Sequence, residues 1–375
     1  MDAATTTGNR KPVGLALQGG GSWGAYTWGA LDALLASRSV AITQLSGTSA
    51  GAINAAIVAS GLVTGGAAAA RAALRAFWMG ITDPAADLVA AIWRPIDRGM
   101  RESIGAWFMT AGLSPYSANP LGVHPLRAAI AAQVDIDAIR SPRAPALYVT
   151  VTNVRSGLPR VISNDEISID ALIASACLPQ LFHAVEIDGE AYWDGGYSGN
   201  PTLWPIIHDG GADDVIVVQL SPDTADEVPK DAAGIRRRVS EIVFNSSLVA
   251  EMQAITAMRA IAARADQPAR VGELRLHRIG PPRRSLFEQG SANERSRAWL
   301  ELLFAEGRQT ARGFLARHAA DLGVRETLDI ARVFTDAHKP KVRVAANDDF
   351  AEDGTGDGNG NDAVSAVADC RRAPS

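Results

Sequence analysis

The chain has 375 residues, enough for one large α/β domain or two smaller ones, and its 47% hydrophobic content supports a substantial core and excludes a mainly disordered protein. Its formal net charge of −5 resides in residues 346–375, which hold seven acids against two arginines; the rest is formally neutral, so no basic field exists to attract nucleic acid. The N-terminus lacks the basic-then-apolar order of a secretory leader, and no apolar run reaches the ~18 residues that span a bilayer, so a cytoplasmic protein is expected.

Residues 1–11 read as a flexible N-terminus. Residues 13–18 form a short buried strand, followed by Gln18-Gly19-Gly20-Gly21-Ser22-Trp23-Gly24 and a helix through Leu35. A second strand, 40–46, leads through Gly47-Thr48-Ser49-Ala50-Gly51 into an Ala-rich helix that runs to about Leu62. The best candidate for a membrane span, Ala50 to Val63, is interrupted by Asn54, Ser60 and Gly61. Gly65-Gly66 breaks the helix, and another ends near Met79.

Residues 77–123 are rich in Trp, Phe, Met and Pro with weak periodicity. Phe77, Trp78, Met79, Trp93, Trp107, Phe108 and Met109 there suit either a lid or lipid-facing surface or the core of an irregular subdomain. Further strands are expected at 146–152, 184–193 and 215–220, with a helix from Asp170 to Cys177 closed by Leu178-Pro179. A helix from Ile235 to Ala265 carries Arg236-Arg237-Arg238 near its start, and a strand at 272–280 and a helix at 291–317 follow. The acidic tail from 346 should be disordered. Apolar strands alternating with helices indicate a mostly parallel sheet covered on both faces.

Cys177 and Cys370 are poor disulfide partners, and no Cys/His cluster has zinc spacing. Asp353-x-Thr355-x-Asp357-Gly358 has the outline of a calcium loop, but Val364 stands where a bidentate glutamate is needed. No metal or cofactor is expected. Abundant alanine and arginine with little lysine is a composition of GC-rich bacterial genomes.

The two glycine turns carry the chemistry. Gly47–Gly51 matches G-x-S-x-G, the sharp strand-to-helix turn that exposes a serine hydroxyl at a sheet's tip. The turn at Gly19–Gly21 offers unhindered backbone N–H groups at a helix N-terminus, where developing negative charge is stabilised. Gly19-x-Gly21-x-x-Gly24 also fits a dinucleotide fingerprint, but that reading needs an acid about 20 residues on. No Asp or Glu occurs between Asp32 and Asp83, and no Lys-Ser or Lys-Thr follows the glycines as in a phosphate loop.

A serine nucleophile needs a base. The late histidines His208, His277, His318 and His338 sit in no distinctive loop. Trp193-Asp194-Gly195-Gly196-Tyr197-Ser198-Gly199-Asn200-Pro201 offers a carboxylate that closes a strand, where partial desolvation beside Trp193 would raise its basicity. The rival for this segment is a hairpin-type Asp-Gly turn.

With G-G-G-x-x-G at Gly19–Gly24, G-x-S-x-G at Gly47–Gly51 and D-G-G at Asp194–Gly196, in that order, the chain resembles the patatin-like phospholipase family over roughly residues 12–220. Ala174-Ser175-Ala176-Cys177-Leu178-Pro179 is similar to family sequence too, whereas Trp23 stands where members often carry a basic residue. The resemblance implies a three-layer α/β/α sandwich with a mostly parallel central sheet. It implies a Ser-Asp dyad with no histidine: Ser49 the nucleophile, Asp194 the base, and the amides around Gly19, Gly20 and Gly21 the oxyanion hole. The activity implied is lipid acyl ester hydrolysis, within one domain over 12–345 whose part at 235–340 is mainly helical. The partners implied are a lipid or acyl-ester substrate and peripheral contact with a membrane, with no nucleic acid and the oligomeric state open. The alternatives are a catalytically silent lipid- or protein-binding module on the same fold, or a dinucleotide-binding protein.

Overall fold

The computed structural model describes residues 10–82, 114–225, 227–265, 270–289 and 291–335. Eight strands form one sheet: β1 (Lys11–Leu17), β2 (Val40–Thr48), β3 (Ala146–Asn153), β4 (Pro159–Ser163), β5 (Val185–Ile187), β6 (Glu190–Asp194), β7 (Asp214–Val218) and β8 (Arg275–Ile279). The order is β5-β6-β3-β2-β1-β7-β8, with β4 pairing β3. Strands β3, β2, β1, β7 and β8 are mutually parallel, and β4, β5 and β6 join antiparallel at the β3 end.

The central strands are nearly continuous apolar runs because helices cover both faces. Val13, Leu15, Leu17, Ile216 and Val218 point into one layer, and Ala16, Val215 and Val217 into the other. The first layer holds helices α1 (Gly24–Ala36), α2 (Ala50–Gly80), α3 (Ile169–Ser175) and, outside α1, α6 (Arg297–His318). Within it Asp32 of α1 is ion-paired to Arg71 of α2 at 2.7 Å and to Arg308 of α6 at 2.9 Å. The second layer holds α4 (Trp204–Asp209) and α5 (Ala232–Ala265), which bring Ile206, Leu248, Met252 and Ile255 onto the sheet. This is the three-layer α/β/α architecture expected.

Several local expectations are corrected. The strand expected over 184–193 is a two-strand hairpin, because Asp188 and Gly189 both take positive φ (54° and 79°), the backbone of a tight two-residue turn. Strand β4 is an addition, folded back on β3. The break expected at Gly65-Gly66 is present: both leave helical backbone (φ −165° and 71°), so α2 is two helical stretches joined at a kink. Among the described residues α2 is the one helix long and apolar enough to cross a membrane by length and composition, which the sequence reading did not anticipate. Its first turns, Ala50–Gly61, are wholly buried on the sheet, as in a core helix. Phe77 and Trp78 also belong to the core, and Trp78 Nε1 donates to Asn54 Oδ1. Trp93, Trp107, Phe108 and Met109, residues 1–9, Cys370 and the tail lie outside the described residues.

Candidate active site

Ser49 occupies the turn between β2 and α2 with φ 55° and ψ −125°, a region that non-glycine residues rarely enter. The turn is held from both sides. The Ser49 N–H donates to Ser175 Oγ at 2.9 Å, and Ser175 Oγ in turn donates to the Thr150 carbonyl at 2.7 Å. The Ser49 carbonyl accepts from Ile53, so the first N–H groups of α2 are left at the helix N-terminus beside Ser49.

Asp194 reaches the same place by the logic of the sheet. On β3, Thr150 is opposite Thr48 of β2, and the next residue, Val151, is opposite Asp194 of β6. The other edge of β3 is taken by β4 from Tyr148 to Thr152. Strand β6 therefore takes over the edge that β2 vacates when its chain turns away at Ser49. The Asp194 N–H donates to the Cys177 carbonyl at 2.8 Å, and its own carbonyl accepts from Thr152 Oγ1 at 2.8 Å. Gly195 follows because a Cβ there would collide with the Thr150 carbonyl.

The Asp194 carboxyl is 1% exposed and Ser49 7% exposed. Burial pushes the carboxyl pKa up to about 7, against the Gly196 N–H and the Ser49 hydroxyl, which both favour the charged form. Oδ1 accepts from Gly196 N–H at 2.7 Å. Oδ2 completes no hydrogen bond, although the Ser49 hydroxyl lies near enough to act on its charge. Catalytic hydrogen bonds are often long before substrate binds.

The glycine turn packs directly against the elbow. A Cβ on Gly19 would sit 2.5 Å from the Thr48 carbonyl and 2.7 Å from Ser49 Cβ. Asn200 fixes it, accepting from Gly19 N–H at 2.6 Å while its Nδ2 donates to the Gly19 carbonyl at 3.3 Å and the Phe244 carbonyl at 2.8 Å. Buried Gln18 donates to the Asn200 carbonyl and accepts from the N–H groups of Leu220 and Ser221. Beyond the turn, Ser22 donates through its N–H and Oγ to the carbonyls of Ala292 and Ser291, both at 2.8 Å. Gly19 N–H is thus committed to Asn200, whereas the N–H groups of Gly20 and Gly21 make no hydrogen bond among the described residues.

Ser49, Asp194 and the Gly19–Gly21 turn therefore converge, and no histidine joins them among the described residues. His277 is buried, bonded to Asp214 and Thr327 at 2.9 Å each, and Asp214 begins β7 at the end of the sheet opposite the elbow. His318 pairs with Asp321. Trp23 is a packing residue, edge-on to Trp299 at 5.3 Å. The hairpin reading of Asp194-Gly195 does not hold, since Asp194 closes β6 and starts a 3-10 turn, Gly195–Tyr197. Cys177 is a buried free thiol.

Sequence reasoning missed Asn200 and Gln18 as the turn's anchors and Ser175 as the elbow's acceptor. All three lie inside quoted motif segments, but nothing local marks a polar side chain that will be fully buried.

A serine elbow at the tip of a parallel sheet, faced by a buried carboxylate and a glycine turn, is an arrangement met in α/β acyl hydrolases. A family model described as patatin-like phospholipase matches residues 15–207, just over half of the chain. The chain belongs to the patatin-like phospholipase family, whose activity is lipid acyl hydrolysis in the general sense. No curated protein matches the sequence. Among solved structures, VipD from Legionella pneumophila is similar, at 15% identity and a TM-score of 0.41, over 83% of this chain and 67% of that one.

Proposed function

We propose that the chain is a carboxylic ester hydrolase acting on lipid acyl esters, with Ser49 as nucleophile and Asp194 as its base. The observation that carries this is the buried, unpartnered Asp194 Oδ2 beside the elbow serine. A base with a pKa of about 7 is poised to take and return a proton near neutrality. As Ser49 Oγ attacks the ester carbonyl carbon, its proton passes to Asp194. The N–H groups of Gly20 and Gly21, aided by the start of α2, hold the tetrahedral oxyanion, while Gly19 keeps the turn close. Collapse expels the alcohol, which takes the proton from Asp194. Water then gives a proton to Asp194 as it attacks the acyl-enzyme; the tetrahedral adduct collapses, Ser49 recovers the proton, and the fatty acid leaves.

Ser49→Ala and Asp194→Ala should each abolish turnover of a p-nitrophenyl acyl ester with the far-UV spectrum unchanged. Full activity in either variant would remove the dyad. Labelling by a fluorophosphonate probe in wild type, absent in Ser49→Ala, separates an enzyme from a silent binding module, which would stay unlabelled.

A further inference from the structure

Helix α5 runs past the rim of this site and turns an aliphatic stripe to solvent. Its inner side supplies Asn245, Leu248 and Met252 to the interior, and Phe244 lies against Gly196 and the Tyr197 ring, 5.3 Å between centroids. Its outer side carries Ile235, Val239, Ile242 and Val243, exposed by 45, 54, 53 and 38%. The spacing i, i+4, i+7, i+8 places them on one side of a helix, where a soluble helix normally presents polar groups. Tyr197, two residues past Gly195, is 37% exposed beside them.

Along α5 itself, beside the stripe, the exposed charge is positive. Arg236 is exposed at its flank. From residue 232 to 250 the helix holds one acid, Glu241, which is buried and paired with Arg238 at 2.9 Å. Asp226, Glu227 and Asp231 precede the helix in sequence; Glu227 and Asp231 are exposed, and Asp231 accepts the Gly234 N–H. No exposed carboxylate on this part of α5 would repel an anionic surface.

We propose that this face of α5 is where the protein rests on a bilayer containing anionic lipid, with Ile235, Val239, Ile242 and Val243 entering the acyl boundary and Arg236 at headgroup level. The inference rests on the acyl-hydrolase reading. An acyl ester held in a bilayer has to reach Ser49 and Asp194, both buried, and the stripe lies on the same helix as Phe244, which borders that site.

Vesicles of equal phosphatidylcholine and phosphatidylglycerol provide the test, by co-sedimentation and release of fatty acid, beside turnover of soluble p-nitrophenyl butyrate. The double variant Val239→Gln/Ile242→Gln keeps helix-forming residues at exposed positions. It should bind vesicles at least tenfold more weakly and hydrolyse vesicle lipid correspondingly less, with kcat/KM on the soluble ester within twofold of wild type. Arg236→Gln should weaken binding to the anionic vesicles at low salt and leave binding to pure phosphatidylcholine unchanged. As a measurement that leaves the stripe nearly intact, an environment-sensitive fluorophore on Ile242→Cys, in a Cys370→Ser background, should shift to the blue on vesicles. Wild type that does not bind, a double variant that binds equally well, or sedimentation showing that the double variant dissolves a dimer would each overturn the proposal. Vesicle binding lost in the double variant supports it even if no ester is turned over; the hydrolase reading is then what fails.

Discussion

The Asp194 carboxyl is sheltered from solvent, yet one of its oxygens is left without a hydrogen-bond partner. Burial raises its pKa to about 7, while a single N–H on Oδ1 and a nearby hydroxyl keep the charged form accessible. In the proposed mechanism Asp194 must be ionised to accept the serine proton, so kcat/KM on a soluble ester should rise with pH and level off, with an apparent pKa near 7. A flat profile between pH 5 and 8 would assign the base elsewhere. Ser175 holds the strained elbow by accepting the Ser49 N–H. Ser175→Ala leaves a buried donor unsatisfied and should cost about 1–3 kcal/mol in urea unfolding. The turns at Ser49 and Asp194 were legible because their glycines leave a signature; the partners of those turns were not. Gln18, Ser175 and Asn200 act through neighbours up to 203 residues away, as in the Gln18–Ser221 bond.

The antiparallel strands at the β3 end place Asp194, and they were the least legible elements. The Asp188-Gly189 turn was present in the sequence, yet 184–193 reads as a single strand because apolar residues lie on both sides of it. Strand β4 begins with a proline and carries an arginine, weak signals for a strand. The parallel strands β1, β2, β3 and β7, by contrast, lie within two residues of their expected ends and β8 within three, because strands buried on both faces are largely apolar. Two substitutions test the element-level account. Gly195→Ala forces a methyl against the Thr150 carbonyl and should lower ester turnover by at least tenfold, with displacement of Asp194. Asn200→Ala frees both polar groups of Gly19 and should lower kcat by about 10²–10³, the range for loss of one oxyanion donor, with less effect on KM. Wild-type kcat in Asn200→Ala would show that the turn holds without its anchor.

Across the whole molecule, the site leaves its mark on stability. Asp194 binds its proton more tightly when folded than its ordinary value of 3.8 allows, so the folded state holds more protons between about pH 4 and 7. Stability from this group therefore falls as pH rises through that window and is constant above it. Glu251, also raised to about 7 by burial, adds a second fall in the same range. Asp214, held low by His277 and Arg275 despite its burial, acts oppositely and loses its contribution as pH falls below the ordinary carboxylate range. Asp194→Asn removes one of the two falls and should unfold at higher denaturant than wild type at pH 8. The gap should be on the order of 4 kcal/mol and close towards pH 4; an equal gap at both pH values would detach it from ionisation. The layered α/β/α plan was readable from the alternation of strands and helices, whereas the docking of α5 and residues 291–292 around the glycine turn was not, since it rests on contacts between distant segments. The meeting of β2 and β6 along one edge of β3 also quantises activity. Strand register moves in whole residues, and a one-step slip of β6 would seat Trp193 opposite Val151 with its side chain on the other face. No half-assembled dyad lies between. A partly misfolded preparation should lose titratable fluorophosphonate sites while each remaining site keeps its full turnover number.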